Sequence, residues 1–396
     1  MPDLFDFKYA IINPTTKGSF VEQVNNCMKY LSKIACGLTE SERIIRSNWF
    51  YSSKDESVCG EIEDLVSTGM KSIDLHELPF TIVSESPNNG FSVQLAICII
   101  ENMPEEMIAE NNTLGNISYS SFILGSQKWI FTGDGRCREK ELSVSESAHS
   151  TFADIHEVLR RENISFKNLV RQWNYIPGIV DTRQSGEGEV QNYQEFNDAR
   201  AEWYRKDGLL EDFPAATGIG VSGGAVKIEI IAFSECNDTQ VLSLKNPIQS
   251  DAHQYSVDKL VGRNVKETPR FERGKLIFSR GKGHIWVSGT AAIRGEDSIP
   301  GDVMEQSILT CENIDALIQP GNLIKSGLPE SEYNISPIYI RAYVKDNNHG
   351  DLVQSFLMNR YPDTPIHVLQ ADVCREELLV EVEGEFSLKE SAPNQD

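Results

Sequence analysis

The chain has 396 residues, 40% of them hydrophobic and 24% charged, which is the composition of an ordinary folded protein with material for roughly two to three domains. Its 37 basic residues stand against 59 acidic ones, a net charge of −22 that repels nucleic acid and anionic membrane, so neither is expected as a partner. An anionic ligand would need a local cluster of arginines to overcome that field.

The opening MPDLFDFKYA lacks the basic and apolar regions of a signal peptide, and no apolar stretch is long enough to cross a bilayer. Eight cysteines, at 27, 36, 59, 98, 137, 236, 311 and 374, form no CxxC and no close pair. That spacing suits buried thiols in a reducing compartment rather than disulfides or a zinc site, and the expected location is cytoplasmic.

Short strands such as FTIVSES (80–86) and FSVQLAICII (91–100), separated by polar loops, predict a β-rich N-terminal extension over residues 1–115. Two versions of one plan follow, over 116–235 and 269–388, joined by a linker at 236–268. Each opens with a hairpin, SFILGSQKWIFTGDG (121–135) or KLIFSRGKGHIWVSGTA (275–291). A helix comes next. Phe152, Ile155, Val158 and Leu159 give the first an apolar stripe, and Ile308, Ile314, Leu317 and Ile318 give the second a looser one.

A strand follows, VRQWNYI (170–176) or IYIRAYVKD (338–346), then a second helix, QEFNDARAEWY (194–204) or DLVQSFLMNRY (351–361). A proline then introduces an extended segment, PAATGIGV (214–221) or PIHVLQADV (365–373). The closing strands are VKIEIIAF (226–233) and LLVEVEGEF (378–386), in which Glu229 and Glu381 take equivalent places. Each unit therefore reads β-β-α-β-α-β-β, an α+β fold with helices on one face of a mostly antiparallel sheet. The acidic, proline-containing tail at 389–396 reads as disordered.

The last strand carries the chemistry. Alternation puts Leu378, Val380 and Val382 on one face and Leu379, Glu381, Glu383 and Glu385 on the other. By itself that is a half-buried strand with a solvated acidic face.

The repeated unit resembles the RidA (YjgF) fold, a chorismate-mutase-like α+β domain. The longer pieces QWNYI (172–176), FNDARAEWY (196–204), PAATGIG (214–220), VSGTAAI (287–293), PGDVMEQ (300–306) and LQADVCREELLVEVEGE (369–385) resemble the chorismatases. These enzymes of secondary metabolism have two RidA-like halves and cleave chorismate with release of pyruvate. The resemblance implies no cofactor and no metal. It matches Glu381 to the family's catalytic glutamate, a general acid that burial would keep protonated. Glu383 and Glu385 read as surface residues, and Glu229 as a relic of duplication or a structural hydrogen-bonding group.

Two substrate carboxylates call for arginines. Arg200 matches an arginine of the family motif, and Arg341 shares a strand face with Tyr343; the plain alternative for each is an ion pair with one of the many acids. Tyr175, Tyr343, Thr217 and Gln370 complete the predicted binding residues. Ala291 and Gln370 look like the branch that hydrolyses chorismate to a dihydroxycyclohexadiene carboxylate, the alternative product being 3-hydroxybenzoate.

The RidA arginine that would follow Pro214 or Pro365 is absent, which argues against imine or enamine deamination; a binding protein without chemistry is the third reading. Arg294-Gly295-Glu296-Asp297-Ser298 also departs from the Gly-His-Glu-Ser expected there. Residues 218–223 spell GxGxxG and 220–224 spell GxSxG around Ser222, but both run into a strand where those motifs require a helix. His149 and His156 have no ligand set around them. RidA domains form trimers with sites between subunits; a duplicated chain can supply that interface internally, so a monomer is preferred over a trimer.

Overall fold

Strand-helix-strand-helix-strand-strand is written three times along this chain. The computed structural model describes residues 4–52, 57–115, 117–135, 142–185, 188–234, 238–262 and 266–391. The N-terminal unit comprises β1 (Asp6–Ile12), α1 (Phe20–Gly37), β2 (Arg43–Tyr51), α2 (Ser57–Ser72), β3 (Phe80–Val83), the two-residue β4 (Ser86–Pro87) and β5 (Val93–Glu101). The middle unit has β6 (Ile108–Leu114), β7 (Ile117–Leu124), β8 (Gln127–Gly133), α3 (Val144–Arg161), β9 (Leu169–Pro177), a small hairpin β10 (Thr182–Ser185) and β11 (Gly188–Gln191), α4 (Asn192–Lys206), β12 (Ala215–Val221) and β13 (Lys227–Ser234).

The C-terminal unit begins with β14 (Gln240–Leu244), β15 (Gly274–Ser279), β16 (Lys282–Ala291) and the short pair β17 (Ile293–Arg294) and β18 (Asp297–Ser298). It continues through α5 (Val303–Ile318), α6 (Pro320–Lys325), β19 (Tyr333–Val344), α7 (Gly350–Arg360), β20 (Ile366–Gln370) and β21 (Val380–Glu390).

The sheet orders show the repetition. They run β1-β5-β2-β3, then β8-β13-β9-β12 with β7 and β6 added, then β16-β21-β19-β20 with β15 and β14 added. In each, the parallel pair is the same one: β2 with β3, β9 with β12, β19 with β20. The first helix of each unit starts on a capping box, Ser19 with Glu22, Ser143 with Glu146 and Asp302 with Glu305.

The mixed α+β fold is observed, and residues 1–115 carry the helices α1 and α2 beside their strands. They hold a third copy lacking the first hairpin strand. Its helix α1 buries Val24, Cys27, Met28 and Leu31, a stripe at helical spacing. The predicted linker also carries structure: β14 pairs with β15 and extends the C-terminal sheet. Strand β21 runs to Glu390, and the predicted disordered tail lies, for residues 392–396, outside the described residues.

Cys137 and Cys236 also lie outside them. Cys27, Cys98 and Cys311 are buried free thiols. Among the described residues no helix is long and apolar enough to cross a membrane, and no group of three His, Cys, Asp or Glu residues could hold a metal ion.

Helices cover one face of each sheet with a separate apolar core. The opposite faces meet in a shared centre. There one aromatic from each unit, Phe7, Trp129 and Trp286, stands at the corner of a triangle with ring centroids 6.1–6.3 Å apart. Next to the triangle lies a closed circuit of buried charge. Arg46 of the N-terminal unit pairs with Glu229 of the middle unit at 3.1 Å, and Arg171 of the middle unit pairs with Glu383 of the C-terminal unit at 2.7 Å. Tyr9 donates to Glu385 at 2.6 Å, and Arg46 lies 3.7 Å from the same carboxylate, joining the C-terminal unit to the N-terminal one.

The circuit makes Arg46 a constraint on the assembly. Arg46→Met would leave Glu229 with its charge buried and uncompensated, and should lower the free energy of unfolding by about 3–5 kcal/mol in a denaturant titration. Adding Glu229→Gln should recover part of the loss. A change within about 0.5 kcal/mol, the usual range for surface substitutions, would mean that the circuit does not hold the units together.

Candidate active site

A cavity of about 610 Å³ opens where the middle and C-terminal units meet. Its floor is Gly289 and Ala291 on β16 with Glu381 on β21; Ala291 and Glu381 stand opposite each other in the ladder. Tyr193 at the start of α4 and Phe271 close one side, and Cys374, Arg375 and Leu378 another. The segment with Tyr255, Lys259 and Val261 and the hairpin of β10 and β11 form the rim.

Glu381 reaches this floor because β21 is a central strand, paired with β16 and β19. Its face points to the shared centre, so Glu383 and Glu385 are buried as well, contrary to the sequence expectation that they lie on the surface. Three carboxyls on one buried face need different partners, and they have them. Glu383 pairs with Arg171 at 2.7 Å and Arg341 at 3.4 Å, and accepts from Trp173 Nε1 and the Thr217 hydroxyl. Glu385 accepts from Tyr9 and faces His284 Nε2 at 2.9 Å; despite burial, these contacts hold its carboxyl below the usual range.

Glu381 is different. Among the described residues no group hydrogen-bonds its carboxyl, which faces the cavity. Burial pushes its pKa up to about 8, the neighbouring Glu383 pushes the same way, and Arg171 and Arg273 only partly oppose them. Gly289 is required beside it: a Cβ there would stand 2.0 Å from Glu381 Oε1 and 3.2 Å from Thr217 Cγ2.

Two guanidiniums border the cavity. Arg273 donates to the Ser250 carbonyl and to Tyr255 Oη at 2.6 Å, and Arg375 donates to the Glu296 carbonyl and Ser298 Oγ. Both lie over the Tyr255 ring, at 5.5 and 5.3 Å from its centroid. Lys259 adds a third cation at the rim, tied to Asp297. These cations stand among the carboxylates of Glu189, Asp258, Asp297, Glu376 and Glu377, and the two guanidiniums are the groups suited to an anionic ligand.

Of the residues singled out in the sequence, Glu381 and Ala291 line this cavity. Thr217 lies just beneath, accepting from Gly289 N and donating to Glu383. Arg200 is buried behind the wall, against Phe271 and Phe196 and bonded to Asn197. Arg341 does not border the cavity; it donates to the hydroxyls of Tyr339, Tyr175 and Tyr343 and belongs to the charge circuit, where Tyr175 and Tyr343 join it. Gln370 sits at the far edge of the sheet, paired with Ser86 and directed at the Lys345 carbonyl.

Arg273, Arg375, Tyr193 and Cys374 went unremarked. Cys374 and Arg375 fall inside the quoted motif LQADVCREELLVEVEGE, seven and six residues before Glu381, so the motif itself contained that signal. Arg273 precedes the repeat's first strand and carried no pattern of its own.

The register also revises the internal correspondence. Counting from the hairpin turns, Phe131 pairs with Ile231 and Trp286 with Glu385, so Glu229 matches Glu383 and the residue matching Glu381 is Lys227. Lys227 donates to the Ile82 carbonyl at 2.6 Å in the cleft between the N-terminal and middle units, which retains about 10 Å³. One cleft is filled by a lysine and the other is open around a carboxyl. The GxGxxG and GxSxG segments lie along β12 and in its turn into β13, with no helix after them.

Comparison with known proteins places this geometry. The family profile described as "Chorismatase FkbO/Hyg5-like, N-terminal" matches residues 108–232. A 3-hydroxybenzoate synthase of Streptomyces hygroscopicus is 32% identical over 247 residues, 61% of this chain and 69% of that one. A chorismatase of Streptomyces rapamycinicus is 30% identical over 226 residues, 56% of this chain and 64% of the relative. The crystal structure of a chorismatase superposes with a TM-score of 0.68 at 19% identity, covering 97% of this chain and 99% of that one, and so shares the fold. Sequence and fold agree, and the chain belongs to the chorismatase family.

Proposed function

We propose that the protein cleaves the enolpyruvyl ether of chorismate and releases pyruvate, with Glu381 as the general acid. The observation that carries this reading is a carboxyl with a pKa of about 8 facing a cavity bordered by two guanidiniums, in a chain of this family. Chorismate bears two carboxylates and an acid-labile vinyl ether. Arg273 and Arg375 are suited to the carboxylates, since each is already oriented by backbone and hydroxyl acceptors. Glu381 then protonates the terminal vinyl carbon. The resulting oxocarbenium ion is captured, the hemiketal collapses, and pyruvate leaves while the proton balance returns to the carboxylate.

Capture by water gives the dihydroxycyclohexadiene carboxylate; attack of the 4-hydroxyl on C3 as pyruvate leaves, with no hemiketal, leads to 3-hydroxybenzoate. The hydrolytic assignment rested on Ala291 and Gln370, and only Ala291 borders the cavity. The 3-hydroxybenzoate outcome therefore stands beside it, supported by the similarity to the Streptomyces hygroscopicus synthase. Mass and ultraviolet spectrum of the ring product decide between them.

Incubation with chorismate should yield one pyruvate per chorismate consumed, and no pyruvate would refute the proposal. Glu381→Gln should lower the rate by about 10²–10⁴-fold with the fold intact. The acid works protonated, so kcat/KM should hold steady below pH 8 and fall about tenfold per unit above a pKa of about 8. A profile that falls instead as the pH drops from 8 to 6 would assign Glu381 the role of a base.

Arg273→Met and Arg375→Met should each raise KM by about ten- to a hundredfold, the loss of a charge-assisted hydrogen bond, with a smaller change in kcat. An unaltered KM in both would move the carboxylate sites elsewhere. Because three units already close the central circuit within one chain, the protein is proposed to act as a cytoplasmic monomer, sedimenting at 44.4 kDa; a threefold mass would show a trimer instead.

A further inference from the structure

Beneath the cavity floor lies a carboxylate with no place in the reaction as written. Glu383 is two residues from Glu381 on the same strand face, and it faces away from the cavity into the charge circuit. Four donors converge on it: Arg171, Arg341, Trp173 Nε1 and the Thr217 hydroxyl. Two guanidiniums and two neutral donors hold this buried carboxylate in place. Thr217, which donates to Glu383, also accepts from Arg171 and from Gly289 N, so the carboxylate is linked to the strand on which the floor is built.

We propose that Glu383 is a positioning residue for the acid: its fixed negative charge keeps the proton on Glu381, and its bond through Thr217 holds Gly289 against the acid's carboxyl. The inference rests on the reading of Glu381 as the acid and adds what maintains it in that form.

The groups facing Glu381 show why this charge is needed. They are Glu383 on its own strand, Arg171 on β9, Arg273 ahead of β15, Tyr193 on α4, Tyr343 opposite it on β19, and Cys374 in the preceding loop. Burial raises both tyrosines and the thiol, the latter to about 12, so at neutral pH they carry no charge. Of these groups Glu383 is the anion and Arg171 and Arg273 the cations, while Arg375, Lys259, Glu376, Glu377, Asp258, Asp297 and Glu189 line the cavity as well. Arg171 and Arg273 draw Glu381 toward ionisation, and Glu383 is the one neighbouring charge that opposes them. Without it, burial alone would face two guanidiniums.

The test is a carbon-13 titration of the free protein labelled at glutamate carboxyls, the Glu381 signal being the one lost in Glu381→Gln. In the unaltered protein it should titrate near 8. In Glu383→Gln it should fall by about one unit or more, and the alkaline limb of pyruvate release should move down with it. Glu383→Asp, which keeps the charge, should stay near the original value; a merely structural role would perturb Asp and Gln alike.

Should Gln at 383 prevent folding, Glu383→Gln with Arg341→Gln removes one charge of each sign, so the circuit keeps its net balance. Arg341 stands against Glu383, so the Glu381 signal should still move down. An unmoved or rising titration in the folded variant overturns the proposal. If the protein does not consume chorismate at all, the carboxyl titration still decides this point, and only the catalytic reading fails.

Discussion

A circuit of buried ion pairs at the meeting point of three sheets governs the rest of this molecule. Each unit contributes at least one member: Arg46 and Tyr9 from the first, Arg171 and Glu229 from the second, Glu383 and Glu385 from the third. Buried charges are costly unless paired and hydrogen-bonded, so every unit depends on the other two to complete its partners. The pairing also leaves one carboxyl out. Glu383 and Glu385 take the guanidiniums, the imidazole and the hydroxyls; Glu381, at the cavity end of the same strand face, takes none and is kept neutral by burial and by the charge next to it. The structural circuit and the candidate acid are thus consequences of a single arrangement.

Repetition sets the cleft beside Glu381 against the one beside Lys227, of which the first is open and the second nearly closed. The three units share strand order and capped first helices, but their equivalent positions have diverged. Where the C-terminal unit has Glu381, the middle unit has Lys227, whose ammonium reaches the Ile82 carbonyl and fills its cleft. Gly289 shows the opposite adjustment, a residue without a side chain where any Cβ would strike the acid. A symmetric ancestor would present several similar clefts; this chain has specialised one of them.

Much of this was legible in the sequence. The order of hairpin, helix, strand, helix and strand identified two units, and the resemblance to the chorismatases set Glu381 apart from Glu383 and Glu385. The third unit was harder to see because its first hairpin strand is missing, so it lacks the feature that opens the other two. Burial of Glu383 and Glu385 could not be read from alternation, which distinguishes two faces of a strand but not which of them meets another sheet. Arg200 and Arg341 were sound arginines to choose for a dicarboxylate, yet one stands behind the wall and the other serves the circuit. Arg273 and Arg375 come from loops, whose approach to the cavity depends on how the units dock and not on any local period.

The central claim is that Glu381 keeps its proton near neutral pH on a strand face it shares with the ion-paired Glu383 and Glu385. Neutron diffraction from deuterated crystals near neutral pH tests it most directly. A deuteron on the Glu381 carboxyl, with bare carboxylates at Glu383 and Glu385, is the result this account predicts. A bare Glu381 beside a deuterated Glu383 would contradict it, because the circuit would then be holding the proton that the reaction requires.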